Sequence, residues 1–195
     1  MSSLPPDTRD RILQSAWQLL EASGGKGVRM TDIARDAGIS RQAVYLHFPT
    51  RSELLIATTR YLDQVKQVDQ LLLASRQAAT GKERLEAFIE AWGNYIPEIY
   101  GVAKALLAMK DTDQAADEAW SKRMLAVREG CLAAIQALKK DGTLSSDYTV
   151  RQATDILWTL LSVRNWEQLT QNCGWSQKRY VETTKKLAGR ILLTD

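Results

Sequence analysis

Apolar residues along this 195-residue chain recur at three- and four-residue intervals almost throughout, the period of helices that bury one face. Ile12, Ala16, Leu19 and Leu20 mark a first helix, with Asp7 placed to cap its start and Ser23-Gly24-Gly25 to end it. A very short helix is predicted over about 31–37 and another over about 40–48. Thr50-Arg51-Ser52-Glu53 then has the form of a capping box, in which the threonine hydroxyl accepts from the Glu53 amide and the carboxylate reaches back to the Thr50 amide. It opens a long helix carrying Leu54, Thr58, Tyr61, Leu62, Val65 and Leu72, which Ala79-Thr80-Gly81 breaks.

Leu85, Phe88, Ile89, Trp92 and Ile96 mark the next helix, which Pro97 is expected to kink or end, leaving 99–109 as a short apolar helix. Asp111-Thr112-Asp113 supplies cap chemistry, and Trp120, Met124, Val127, Cys131, Ile135 and Leu138 form one stripe over five turns. Lys139 and Lys140 suit that helix's C-terminus before the Asp141-Gly142 stop. The pattern resumes over about 150–172 with Ile156, Leu157, Leu160, Leu161 and Trp166. After a turn at Gly174-Trp175-Ser176, a last helix carries Tyr180, Thr184, Leu187 and Ile191 on one face. Strand signals are scarce, and the only Asp-Gly dipeptide lies between helical patterns. The reading is an all-α protein of about nine helices: a three-helix domain over 1–50, followed by a larger helical domain over 51–195.

Composition narrows what such a chain does. At 45% hydrophobic and 25% charged it is that of a folded domain, which excludes intrinsic disorder. Lys104 and Asp155 interrupt the nearest approaches to a run of ~18 apolar residues, so no membrane span is expected. Residues 1–7 lack the basic and apolar regions of a signal peptide, and the expected compartment is the cytoplasm. Twenty-six basic against twenty-three acidic side chains leave +3, which excludes binding to nucleic acid by bulk charge. Cys131 and Cys173 match no ligand spacing, and Cys131 reads as a buried, reduced thiol. The single histidine, His47, excludes HExxH and multi-histidine metal sites and leaves a Ser-His-Asp triad only through itself. Asp111, Asp113, Asp117 and Glu118 read as complements of a helix dipole instead of a metal site. No Gly-rich phosphate loop is visible, so no catalytic residues, metal or cofactor are expected, and the chain is not read as an enzyme.

The chemistry lies in residues 30–48, where two helices of about two turns are joined through Gly38. Neither is stable alone, so they must pack across one another. Ala34 is small where they would cross, Gly38 suits a left-handed turn, and Ile33, Ala37, Ile39, Val44 and Phe48 supply a shared interior. This is the spacing of a helix-turn-helix, whose second helix enters the major groove. Ser40 caps that helix and leaves Arg41 and Gln42 at its leading end. Arginine can bond guanine O6 and N7, and glutamine adenine N6 and N7. Tyr45 and His47 project where a phosphate backbone would run, and Arg51 adds a cation at the start of the next helix.

From about residue 7 to 61 the chain resembles the N-terminal domain of TetR/AcrR-type transcriptional regulators. The resemblance is carried by Ile33-Ala34, Ala37-Gly38-Ile39-Ser40, Val44-Tyr45-Leu46-His47-Phe48 and Arg51-Ser52-Glu53-Leu54-Leu55. It implies that Thr31, Ser40, Tyr45, His47 and Arg51 position the duplex backbone while Arg41 and Gln42 read bases. The chain departs from the family at Gln42-Ala43, where glycine commonly precedes a small residue. Residues 1–63 hold eight basic and seven acidic side chains, so affinity has to come from a few placed contacts, used twice in a dimer with half-sites about one helical turn (~34–36 Å) apart.

Five of the six tryptophans follow residue 63. They fill a core or line an effector pocket; the resemblance favours a pocket, with Trp92, Tyr95, Trp120, Met124 and Trp158 as candidates. The last two predicted helices resemble the pair that forms a four-helix seam with a second copy, through Ile156, Leu160, Tyr180, Thr184, Leu187 and Ile191. The expectation is a homodimeric repressor that a small-molecule effector releases from a double-stranded DNA operator. The competing reading is a helical dimer that binds a small molecule or a protein without reading DNA.

Overall fold

The computed structural model describes residues 7–24 and 26–194. Segment 1–6, read above for a signal peptide, and Gly25 lie outside the described residues. The described chain is helical, with one antiparallel bridge between Leu144 and Leu193 and no strand. The helices are α1 (Thr8–Ser23), α2 (Met30–Asp36), α3 (Arg41–His47), α4 (Arg51–Val65), α5 (Val68–Leu71), α6 (Leu73–Arg76), α7 (Gly81–Met109), α8 (Gln114–Lys140), α9 (Val150–Leu160), α10 (Val163–Glu167) and α11 (Gln177–Leu192). A π-helical stretch, Gln168–Asn172, follows α10.

The chain divides into two compact units: Met1–Lys66 with Ile99–Arg123, and Gln67–Glu98 with Met124–Asp195. In the first, α1 packs on α2 and α4, and α2 on α3. Its interior holds Ile12, Ala16 and Leu20 of α1, Ile33 and Ala34 of α2, Val44 of α3, and Leu54 and Leu55 of α4. In the second, α11 packs on α9, and Leu85, Ile89, Cys131, Ile135, Leu138 and Leu157 are buried.

Local capping rules account for most boundaries. Ser40, Thr50, Thr149, Ser162 and Ser176 each accept from the amide three residues on. The reciprocal box, with the side chain at the third position reaching back, is made by Thr149 with Gln152 and by Thr80 with Glu83. Asp7 holds the first position through its carbonyl, which accepts from Arg11 N at 3.0 Å, and not through its side chain. Gly24 and Gly142 lie in the left-handed region where their helices end.

Three boundaries differ from the sequence reading. The helix opened at Thr50 stops at Val65, because Gln67 takes a left-handed φ of 53° and two four-residue helices follow. Val65 is exposed, so little burial favours continuing the helix there.

Pro97, by contrast, does not end its helix; α7 runs through it. Proline cannot donate to the carbonyl four residues earlier, that of Gly93. Gln177 Nε2 donates to that carbonyl instead, at 2.8 Å, while Gln177 Oε1 accepts from Trp166 Nε1 at 2.8 Å. Gly93 also lets α11 approach: an added Cβ would lie 3.0 Å from Val181 Cγ2.

The predicted helix over 150–172 breaks after Leu160. Ser162 Oγ takes the Asn165 amide at 3.1 Å, and the Leu161 carbonyl, which that amide would have used, accepts from Trp92 Nε1 at 2.8 Å.

Cys131 is fully buried, and burial pushes its thiol from the ordinary 9.0 up to about 12, whereas Cys173 is exposed. In the folded protein at pH 8, a thiol-alkylating reagent should therefore modify Cys173 alone, with Cys131 reacting only after unfolding; intact-mass spectrometry reads both. The neutral thiol is favoured by the fold. Its contribution to stability is accordingly complete below about pH 9 and lost progressively as pH rises toward 12.

Candidate nucleic-acid interface

Helices α2 and α3 are joined as the sequence requires. Gly38 has φ 65°, and Ile39 N donates back to Ala34 O at 3.0 Å. An arginine that local reading missed, Arg11 of α1, donates to the Ala37 carbonyl at 2.5 Å and fixes the turn to the first helix. Ser40 Oγ accepts from Ala43 N at 3.1 Å. Val44 and Phe48 point inward, 0% and 2% exposed, so α3 sits on the domain by one face only.

Apart from half-buried Ala43, the rest of α3 faces out. Arg41, Gln42, Tyr45, Leu46 and His47 are exposed, as are Ser40 and Thr31. On one flank lies a cleft of about 560 Å³ whose lining includes Arg29, Thr31, Arg41, Tyr45, Arg51 and Asp113. Arg41 leans along α3 onto Tyr45: its guanidinium lies 5.4 Å from the ring centroid and donates to the hydroxyl at 3.4 Å. On the other flank a cleft of about 470 Å³ is lined by His47 with Arg9, Arg60 and Lys122, and with Glu53 as its acidic member. The Arg9 guanidinium stacks 5.1 Å from the Phe48 ring centroid.

Arg51 is more constrained than its place in sequence suggests. Its Nη1 donates to both Asp113 oxygens, at 2.6 and 2.5 Å, and its Nε to the Val28 carbonyl at 3.1 Å. Asp113 Oδ1 also accepts from the amides of Ala115 and Ala116 at 3.1 and 3.3 Å, which caps α8. The cation at the cleft wall is therefore paired, by a carboxylate 62 residues away that no local motif announces.

Four of the seven predicted DNA-facing residues (Thr31, Arg41, Tyr45 and Arg51) line one cleft, and His47 lines the other. Gln42 stands between them on the outer face of α3. Sequence reasoning passed over Arg9, Arg29, Arg60 and Lys122. Arg29 had a signal in its position just before α2, whereas Lys122 comes from α8 and had none.

The other predicted sets are less unified. Trp92 and Tyr95 are buried in the second unit, their ring centroids 5.9 Å apart, and Met124 and Trp158 are half-buried there. Trp120 belongs to the first unit, where it lines a cavity of about 20 Å³ with Thr59, Leu62, Ile99, Leu106 and Arg123. Of the six residues assigned to a dimer seam, Tyr180 and Thr184 are 0% and 4% exposed within the single chain. Residues without accessible surface cannot meet a second copy, so these two are core. Burial raises the Tyr180 hydroxyl to about 12. Leu187 is exposed, and Ile156, Leu160 and Ile191 are half-buried. Among the described residues no helix is long and apolar enough to cross a membrane.

Residues 12–58 match the family described as bacterial regulatory proteins, tetR family. The HTH-type transcriptional regulator BetI of Rhizobium meliloti (strain 1021) is 35% identical over 86 residues, 44% of this chain and 42% of that one. The HTH-type transcriptional regulator EthR of Mycobacterium tuberculosis is 32% identical over 121 residues, 58% of this chain and 53% of that one. The chain thus spans about half the length of these curated relatives. Solved structures match over nearly its full length. A chain from Saccharomonospora viridis in complex with choline has a TM-score of 0.73 at 20% identity, covering 96% of this chain and 98% of that one. NalD, the secondary repressor of the MexAB-OprM multidrug efflux pump in Pseudomonas aeruginosa, has a TM-score of 0.69 at 21% identity, covering 96% and 98%. The helix-turn-helix segment thus matches the tetR family of bacterial regulatory proteins, and the chain as a whole shares the all-helical fold of these solved structures.

Proposed function

We propose that the protein is a homodimeric, sequence-specific DNA-binding transcriptional repressor, released from its operator by a small-molecule effector. The observation that carries this reading is the outer face of α3, whose exposed side chains stand between two cation-lined clefts while Val44 anchors the opposite face. An α-helix fits the major groove, and the flanking clefts suit the two phosphate backbones that border it. Thr31, Ser40, Tyr45, His47 and Arg51 serve the backbone in this reading. A duplex partner places its work in the cytoplasm. Residues 1–63 carry a net charge of only +1, so two copies on paired half-sites supply the affinity that one lacks. Ile156, Leu160, Leu187 and Ile191 are the accessible candidates for the seam between copies.

Division of labour near residue 50 follows, with readout before it and effector and dimer contacts after it. The cavity beside Trp120 lies against Thr59 and Leu62 of α4, the helix that follows the reading helix. At about 20 Å³ it holds one water at most, so an effector entering there has to move α4. Such a displacement supports coupling of ~1–3 kcal/mol between effector and operator. The choline bound to a structural neighbour suggests a small amphipathic cation as a first effector to test.

The test is enrichment of duplexes from a random pool and from DNA upstream of the protein's own gene, followed by mobility shifts at two salt concentrations. A sequence-specific complex of one dimer per site is expected. A folded dimer that enriches no duplex at either salt overturns the proposal in favour of a helical dimer without DNA readout.

A further inference from the structure

Leu46 is 80% exposed, the most exposed large apolar side chain among the described residues, and it sits between Tyr45 and His47 on the reading helix. It gives nothing to the core, where Val44 and Phe48 fill the interior under α3. Its direction is informative. At about 100° per residue, Gln42 and Leu46 each fall about 20° from the line directly opposite Val44. Arg41 and Tyr45 fall together on one flank and His47 on the other, which agrees with the clefts that each of them lines. Gln42 and Leu46 therefore form a single outermost ridge, one turn apart.

Resting on the DNA-binding reading above, we propose that this ridge reads the operator, with Leu46 packed on the 5-methyl group of a thymine and Gln42 on an adenine, and that Arg41 holds a phosphate instead of a base. The chemistry of each position supports the assignment. The thymine methyl is the one apolar group that the major groove displays, and an exposed leucine is matched to it and to no phosphate. Gln42 offers both the donor and the acceptor that adenine N6 and N7 require. Arg41 is drawn off the ridge by stacking on Tyr45 and faces the cleft shared with Arg29, Thr31 and Arg51. A ridge pair one helical turn apart has Cβ atoms about 6 Å from each other, the span of roughly two stacked base pairs. The operator half-site thus contains an adenine and a thymine within about two positions.

The methyl group can be removed from the DNA without changing its pairing. Each thymine of an enriched site is replaced singly by deoxyuridine, and binding of the full-length protein is measured. Wild type is expected to lose about 3- to 5-fold at one thymine per half-site, the loss of a single buried methyl. Leu46→Ala should bind the intact site more weakly and be indifferent to that replacement, and its fold is safe because the side chain is exposed. Arg41→Ala should weaken enriched and scrambled duplexes by equal factors. A flat deoxyuridine scan in the wild type, or an undiminished penalty in Leu46→Ala, overturns the role of Leu46. An altered base preference in Arg41→Ala overturns the role given to Arg41. Failure to enrich any duplex defeats the DNA-binding reading itself, whereas enrichment with a flat scan defeats only this inference.

Discussion

Gln177→Leu should destabilise the protein by about 2–6 kcal/mol, and Pro97→Ala should return part of that loss. Gln177 serves two groups at once. The Gly93 carbonyl has no helical donor because residue 97 is proline, and the indole N–H of Trp166, a residue only 4% exposed, has its acceptor in Gln177 Oε1. Leaving a buried polar group unpaired costs about 1–3 kcal/mol, and leucine abandons both at once. Pro97→Ala restores a backbone N–H aimed at Gly93, so one of the two penalties disappears in the double variant. In the wild-type background the same change is worth less, because Gln177 already occupies that carbonyl. Urea unfolding followed by circular dichroism measures all four members of the cycle. The two changes should couple by about 1 kcal/mol or more; strict additivity would show that the Gly93 bond contributes nothing.

That pair also marks where sequence reading reaches its limit. Pattern, caps and Gly38 carried the helix-turn-helix, because each of those rules acts within about four residues. Val44 inside and Gln42 outside follow from the same local period. The passage of α7 through Pro97 does not, since the rescuing donor lies 84 residues from Gly93. The Arg51–Asp113 pair is equally remote from local rules, and it changes a free cation into a paired one. The dimer assignment erred at Tyr180 and Thr184 for a different reason. On α11 the large residues Leu187 and Ile191 pulled the apparent face to one side. The buried line runs through Tyr180, Val181, Thr184, Ala188 and Leu192, where a small alanine and a threonine carry little hydrophobic weight in the sequence. Tryptophans were ambiguous for a third reason: the residue type suits both a pocket and a core, and Trp92 is buried with its indole N–H donating to the Leu161 carbonyl.

Removing the Arg41 side chain should cost more DNA affinity than any other single change at the interface, and the loss should be the same on every sequence. A charge-assisted contact contributes about 1.5–3 kcal/mol, and a dimer loses it in both half-sites, so Arg41→Ala should weaken binding by roughly 10²–10⁴-fold. The logarithmic salt dependence should become shallower by about 2 per dimer, one released counterion per lost contact. Tyr45→Phe tests the same clamp more gently: the ring that Arg41 stacks on remains, while the hydroxyl that accepts from it is gone. Asp113→Asn should act in the opposite direction. It removes a carboxylate from the wall of the cleft and releases Arg51 Nη1, so all duplexes should bind more tightly and the salt dependence should steepen. The asparagine oxygen can still accept from the amides of Ala115 and Ala116, which preserves the α8 cap. With a net charge of +1 over the first 63 residues, one acid more or less facing the duplex is a large fraction of the field. If Asp113→Asn left both affinity and salt dependence unchanged, Arg51 would be a structural tie between α4 and α8 and no part of the phosphate clamp.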